Sequence, residues 1–413
     1  MGLLSDKRIL LGVSGGIAAY KTPELVRRLR DAGADVHVIL TEAATRFVAP
    51  LALEVVSQHP VGLDMWTPLR AGDGSHIAHT ELARDSDLVI LAPATADLIG
   101  RIRHGLADDL LTTSVMAART PVLVCPAMNS EMLENQIVAS NIDALRGMAR
   151  FHFLEPEAGL LACGVTGPGR LPDPPDIIDA AFSAMIPKSL VGLRITLTAG
   201  PTREFLDPVR YLGNPSTGTM GFELARALAA RGAQVTIVTG PVEQRTPALI
   251  SRRVDVTSAA DMHTAVASLW PTTDVLIMSA AVADYRPKSS SPHKVKKSDE
   301  PASLELERTV DILSTMSGMA DRDRVVLIGF AAETRDVLGY ARDKLHRKRL
   351  DWIVGNDVSG SDIGFGRGEN AGWLVSREAE IPLPRAGKSE FAEKIVLQIL
   401  PHLQRHLGSL RHV

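Results

Sequence analysis

The chain has 413 residues, 45% of them hydrophobic and 23% charged, enough for two or three domains with ordinary cores. A formal net charge of −3 gives no reason to expect nucleic acid or an anionic membrane as a partner, and no apolar run approaches membrane-spanning length. Two cysteines, Cys125 and Cys163, are too few for a disulfide framework, and residues 1–7 hold no signal-peptide core, so a cytoplasmic protein is expected.

In chain order, Arg8–Val13 reads as an apolar strand that runs through Ser14, Gly15 and Gly16 into a helix with Leu25, Val26 and Leu29 at helical spacing. Gly33 ends that helix, and residues 36–40 are the next strand. Residues 88–92 are uninterruptedly apolar, which predicts a strand buried on both faces, and residues 122–125 form another. From 158 to 175 the pattern gives way to Gly and Pro, which predicts a long functional loop. A helix over 175–186 leads to Pro187, Lys188 and Ser189, a candidate boundary between domains 1–190 and 191–413. The second domain restarts with Arg194–Ala199 as a strand, an insertion over 200–217 and a helix from about Gly218. The polar segment 286–303 reads as a mobile arm. Strands at 325–328 and 352–354 flank a basic helix over 337–349, and a C-terminal helix around 390–400 shows no chemistry-bearing pattern.

The chain repeats itself. ELVRRLRDAGADVHVIL at 24–40 returns as ELARALAARGAQVTIVT at 223–239, and DLVILAPATADL at 87–98 as DVLIMSAAVADY at 274–285. The economical reading is an α/β protein of two tandem Rossmann-like, doubly wound units, each with its own binding crevice. In the first, Ser14, Gly15, Gly16 and Ile17 offer backbone N–H groups to a phosphate at a helix start, although a purely structural turn explains a lone glycine pair equally well. Ala92 to Asp97 lie at a strand's carboxyl end, where such crevices take ligands, and their small side chains admit a flat ring.

Four motifs in order carry a resemblance: Gly15 to Lys21, Ala92 to Ala96, Pro126-Ala127-Met128-Asn129, and Ala162-Cys163-Gly164 with Gly167 to Arg170. Together they resemble the flavin-dependent cysteine decarboxylases, with a flavodoxin-like first domain. The resemblance implies FMN, its phosphate near Ser14, Gly15, Gly16, Ile17 and Thr41 and its ring beside Ala92, Thr95 and Met128. It implies oxidation of a substrate thiol to a thioaldehyde, loss of CO₂ to an enethiolate, and reduction to the saturated aminothiol. The implied residues are a histidine, for which His79 fits the spacing to Asp87 and His76 does not, Asn129 as carboxylate holder and Cys163 as proton donor. Asn129 also suits a helix cap, and Cys125 belongs in a core.

The second unit lacks the Pro-Ala-Met-Asn and cysteine motifs. Lys344 and Lys348 are four apart on a helix, which by itself describes an ordinary solvated basic face. With residues 199–204, 207–210, 214–221 and 329–334, however, the unit resembles the phosphopantothenate–cysteine ligases. That implies attack of the 4′-phosphopantothenate carboxylate on the α-phosphate of CTP, then displacement of CMP by the cysteine amine, with Mg²⁺ on the phosphates. Asn214 would contact the acyl cytidylate, and Met278, Ser279, Ala280, Asp284, Lys294, Thr309, Val310, Asp311, Ile312, Phe330, Lys344 and Lys348 would line the CTP site. Thr219 stands where bacterial relatives often carry Lys, and Thr309-Val310 where Asn-Pro is usual. No Mg²⁺ ligand is identifiable. The resemblance also implies a homo-oligomer built on trimers of the first domain and dimers of the second, with a dodecamer as one form. Two other readings stay open: a regulatory flavoprotein without turnover, and a flavin oxidoreductase with a nicotinamide-nucleotide domain, although no G-x-G-x-x-G turn follows Arg194–Ala199.

Overall fold

A computed structural model of the chain describes residues 2–66, 82–296, 303–360, 363–364 and 366–410. The chain divides into Met1–Pro187 and Lys188–Val413. Residues 188–190 pack with the second unit, three residues earlier than the sequence boundary, because Leu190 is fully buried in that unit's core and its N–H bonds Arg231 O at 2.9 Å.

In the first unit β1 (Arg8–Val13), β2 (Asp35–Leu40), β3 (Leu88–Ala94), β4 (Val122–Pro126) and β5 (Phe151–Phe153) pair in parallel in the order β2-β1-β3-β4-β5. This is the flavodoxin-like doubly wound order, and its crevice opens where β1 and β3 send their chains to opposite faces. All of β3 is buried, as a central parallel strand covered by helices must be. The helix Thr22–Asp31 buries Leu25, Val26 and Leu29.

The Gly/Pro stretch expected to be a loop is instead a β-hairpin of β6 (Glu157–Leu160) and β7 (Thr166–Arg170). Glycine at 159, 167 and 169 weakens the strand signal while allowing close approach: a Cβ on Gly169 would lie 2.1 Å from Met128 O. Met128 N donates to Gly169 O at 3.1 Å, and Ser130 Oγ to Pro168 O at 2.7 Å, so the hairpin is docked on the turn after β4.

In the second unit β8 (Arg194–Ala199), β9 (Gln234–Thr239), β10 (Arg252–Asp255), β11 (Val275–Met278), β12 (Val326–Glu333), β13 (Trp352–Asp357), β14 (Glu369–Ser376) and β15 (Glu380–Gly387) form one sheet. Its order is β10-β9-β8-β11-β12-β13-β14-β15, parallel through β13 and antiparallel beyond it. The first six strands follow the dinucleotide-fold order, so the switch point lies between β8 and β11. The helix Thr219–Ala230 packs against the C-terminal helix Lys388–Leu410, with Phe222 and Phe391 buried in the shared core. The arm is anchored by pairing of Tyr285–Pro287 with Leu306–Arg308. Among the described residues, no helix is long and apolar enough to cross a membrane.

Candidate functional sites

The first crevice is a cavity of about 1510 Å³ at the carboxyl ends of β1 and β3. At its floor Ser14 Oγ donates to Pro93 O at 2.7 Å and accepts from Thr95 N at 3.0 Å, tying the two strand ends together. Gly15 is required by close approach, since a Cβ there would lie 2.3 Å from the Ala43 Cβ. Among the described residues, the Gly15 and Gly16 N–H groups donate to no protein acceptor. Unpaired amides at a helix start suit an anionic oxygen. Thr41 and Thr95 each cap a following helix, accepting from Ala44 N at 3.3 Å and Leu98 N at 3.4 Å.

Ser14, Gly15, Gly16, Ile17, Thr41, Thr95, Met128, Asn129 and Cys163 all line this cavity. Ala92 is fully buried beneath it and does not. His79 and its rival His76 lie outside the described residues. The docked hairpin carries Cys163 at its exposed tip, and Asn129 Nδ2 donates to Cys163 Sγ at 3.4 Å. Asn129 Oδ1 meanwhile accepts from Glu131 N at 2.7 Å, so the helix-cap role and the position beside Cys163 coexist in one side chain. Cys125 is buried in β4, and burial pushes its thiol up, away from the thiolate a reactive cysteine needs.

The second crevice is a cavity of about 750 Å³ at the carboxyl ends of β8, β11 and β12. It gathers Asn214, Met278, Ser279, Ala280, Asp284, Thr309, Val310, Asp311, Ile312, Phe330, Lys344 and Lys348. Lys294 is exposed on the arm and is not among the lining residues. Hydrogen bonds place several of these groups. Asn214 Nδ2 donates to Ala281 O at 3.3 Å and Val282 O at 3.1 Å, and Ser279 Oγ to Thr198 O at 2.6 Å. Thr309 Oγ1 donates to Ala283 O at 2.6 Å, which sets residues 309–312 along the wall.

Lys344 Nζ reaches Phe330 O at 2.7 Å, and burial holds its ammonium below the usual lysine range despite the nearby carboxylates of Glu333, Asp311 and Asp284. A cation held so poorly solvated is poised for an anionic ligand. Lys348 pairs with Asp311. Burial pushes the Asp311 carboxyl up, but Lys348 and the Ser314 N–H outweigh it and hold the group low. The basic helix is therefore not simply a solvated face. Thr219, at the departure from the expected lysine, accepts from Gln244 Nε2 at 3.1 Å. Asn356, Asn370 and Lys388 also line the cavity, and no sequence motif marked them.

Two nucleotide-sized crevices on successive doubly wound units define a two-domain α/β protein with a separate ligand site in each domain. Residues 2–185 match the family model described as Flavoprotein, and residues 190–402 that described as DNA/pantothenate metabolism flavoprotein C-terminal domain. Over 400 residues the chain is 45% identical to the coenzyme A biosynthesis bifunctional protein CoaBC of Vibrio cholerae, covering 96% of this chain and 98% of the relative. The chain belongs to the CoaBC family. It is a bifunctional enzyme of coenzyme A biosynthesis, a phosphopantothenoylcysteine decarboxylase and phosphopantothenate–cysteine ligase. Among solved structures, the C-terminal domain of a CoaBC protein is 41% identical, covers 53% of this chain and 99% of that one, and has a TM-score of 0.45. The FMN-dependent cysteine decarboxylase SpaF is 30% identical, covers 44% of this chain and 98% of that one, and has a TM-score of 0.39.

Proposed function

We propose that domain 1–190 decarboxylates with FMN in the first cavity, and that domain 191–413 ligates with CTP and Mg²⁺ in the second. The observation that carries the division is that Asn129 and Cys163 meet in one cavity while Lys344 and Lys348 face the other. The unpaired Gly15 and Gly16 amides, with Ser14, Ile17 and Thr41, suit the phosphate of FMN, and Thr95 and Met128 its ring. When bound, a flavin supplies a reversible two-electron acceptor beside the substrate thiol. Asn129 holds the substrate carboxylate through a neutral amide, which does not over-stabilise a charge that must leave as CO₂. Cys163, on the hairpin tip, gives its thiol proton to the carbon that becomes saturated. His79 remains the assigned essential histidine of this step.

In the second cavity the carboxylate of 4′-phosphopantothenate attacks the α-phosphate of CTP and pyrophosphate leaves. The cysteine amine then displaces CMP from the acyl cytidylate. Lys344 and Lys348 offset charge on the phosphates as it shifts. Asp284 and Glu333 supply carboxylate oxygens of the kind Mg²⁺ takes. Lys294, on its exposed arm, is assigned by resemblance alone.

The same reading includes a cytoplasmic enzyme working as a homo-oligomer. Exposed Leu51 and Val55 on the helix Pro50–Ser57 suit subunit contact, and light scattering measures the assembly. The deciding assay supplies 4′-phosphopantothenate, cysteine, CTP and Mg²⁺ to the purified protein. CMP and 4′-phosphopantetheine should both form. A flavin-loaded protein that makes neither is a regulatory flavoprotein, and the reading fails.

A further inference from the structure

We infer that Lys388, supported by Asn370, is a phosphate-holding residue of the second cavity. The inference rests on the ligase reading and adds a contact that no motif assigns. Both residues come from the antiparallel addition to the sheet. Asn370 in β14 stands opposite Ala386 in β15, and Lys388 follows two residues later. Because Asn356 pairs with Gly372, this end of the addition lies at the carboxyl end of β13, on the ligand side of the sheet.

Lys388 is 8% exposed and Asn370 3%, and both line the cavity. Lys388 is the first residue of the helix Lys388–Leu410, where the positive end of the helix dipole opposes a cation. Burial holds its ammonium below the usual lysine range. Among the described residues no carboxylate pairs with it, although Lys394 and Arg385 close by have Glu390 and Glu369. Its amide is used on Gly368 O at 3.2 Å.

Among the described residues Asn370 Oδ1 has no partner, and its Nδ2 meets only Met220 Sδ at 3.5 Å. An amide turned about its last bond presents two donors where it now presents an orphan acceptor. Met220 belongs to the first turn of the helix Thr219–Ala230, whose Thr219 and Met220 N–H groups donate to no acceptor among the described residues. Two helix starts, a desolvated ammonium and an unsatisfied amide thus border one space. Phosphate is the ligand chemistry that satisfies all of them. It can come from the triphosphate of CTP or from the phosphate of 4′-phosphopantothenate.

The test measures equilibrium binding to the full-length protein of CTP against cytidine and of 4′-phosphopantothenate against pantothenate. Lys388→Met, which keeps the aliphatic stem, should weaken one phosphorylated ligand at least about tenfold. It should leave that ligand's dephosphorylated counterpart unchanged, and Lys388→Arg should restore much of the binding. The ligand affected identifies the phosphate. Asn370→Asp provides the second arm: a carboxylate beside Lys388 should preserve or raise the melting temperature while weakening the same ligand. A purely packing role moves stability and leaves the phosphate dependence alone. If both variants bind both phosphorylated ligands as the wild type does, while the wild type releases CMP, this inference falls and the ligase reading stands. A wild type that binds neither ligand and releases no CMP overturns both.

Discussion

Replacing Gly169 by Ala should uncouple the catalytic hairpin from the first cavity while leaving the ligase intact. Gly169 has φ +139°, and a Cβ there would sit 2.1 Å from Met128 O. Holding a Cβ-bearing residue in that region costs on the order of 1–3 kcal/mol. Relieving the overlap separates β7 from the Met128 turn and removes two hydrogen bonds, Met128 N to Gly169 O and Ser130 Oγ to Pro168 O, worth about 1 kcal/mol each. The sum, about 3–5 kcal/mol, is comparable to the stability of a locally docked element. Cys163 then leaves Asn129 for most of the time, and decarboxylation should fall at least about tenfold, at 1.36 kcal/mol per factor of ten. The assay supplies 4′-phosphopantothenoylcysteine and follows 4′-phosphopantetheine, with CMP release by the second unit of the same sample as an internal control. Full decarboxylase activity in the variant refutes the docking role. Equal loss of both activities points to general misfolding.

Cys163→Ser should allow CO₂ release but stall formation of the saturated product, so an oxidised, decarboxylated thiol should accumulate in mass spectra; a fully active variant removes the residue from the mechanism. Lys344→Met should lower CMP release by more than about tenfold, since a charge contact in a dry site is worth a few kcal/mol, and should leave decarboxylation of supplied 4′-phosphopantothenoylcysteine untouched. Equal rates of CMP release in variant and wild type exclude the lysine from the reaction. Asp207 gives a pH prediction. The Arg210 guanidinium, against the cost of burial, and the N–H groups of Val209, Arg210 and Val295 hold its carboxyl well below the usual range. A folded pKa below the unfolded value of about 3.9 means its stabilisation is complete above that pH and is lost as acid drives the group towards protonation. Asp207→Asn should therefore lower the melting temperature at pH 7, and the difference from wild type should shrink below about pH 4. A difference constant across that range would show that the charge is irrelevant.

The central parallel strands were legible in the sequence because helices cover both faces and demand unbroken apolar runs, as at Leu88–Ala94 and Val122–Pro126, whereas the short edge strands Phe151–Phe153 and Arg252–Asp255 were not. Nor was the antiparallel addition. β15 carries Pro382 and Pro384, which argue against a strand except at a sheet edge, and only the assembled sheet makes it an edge. The hairpin of β6 and β7 hid for a related reason: its glycines read as loop until Met128 and Ser130 supply something to pack against.

The candidate sites divide along the same line. Of the residues that the resemblance implied, Ser14, Thr41, Thr95, Asn129 and Cys163 gather around one cavity, and Asn214, Asp284, Lys344 and Lys348 around another. Ser14, Thr41, Thr95 and Asn129 sit at strand ends and helix starts, positions that local pattern encodes, whereas Cys163 lies on the hairpin tip and Lys344 and Lys348 at the end of a helix. The sequence by itself determined two doubly wound units, because apolar period and turn residues are local properties, and their separate chemistries followed from the family resemblance that the motifs carry. Tertiary structure alone decided that Asn129, the helix cap the sequence expected, is also the neighbour of Cys163. It also decided that Lys344 is desolvated while Lys294 is not, and that Lys388, in a helix without visible chemistry, borders the second cavity. Burial and proximity across distant segments decide each of these, and no single stretch of chain carries them.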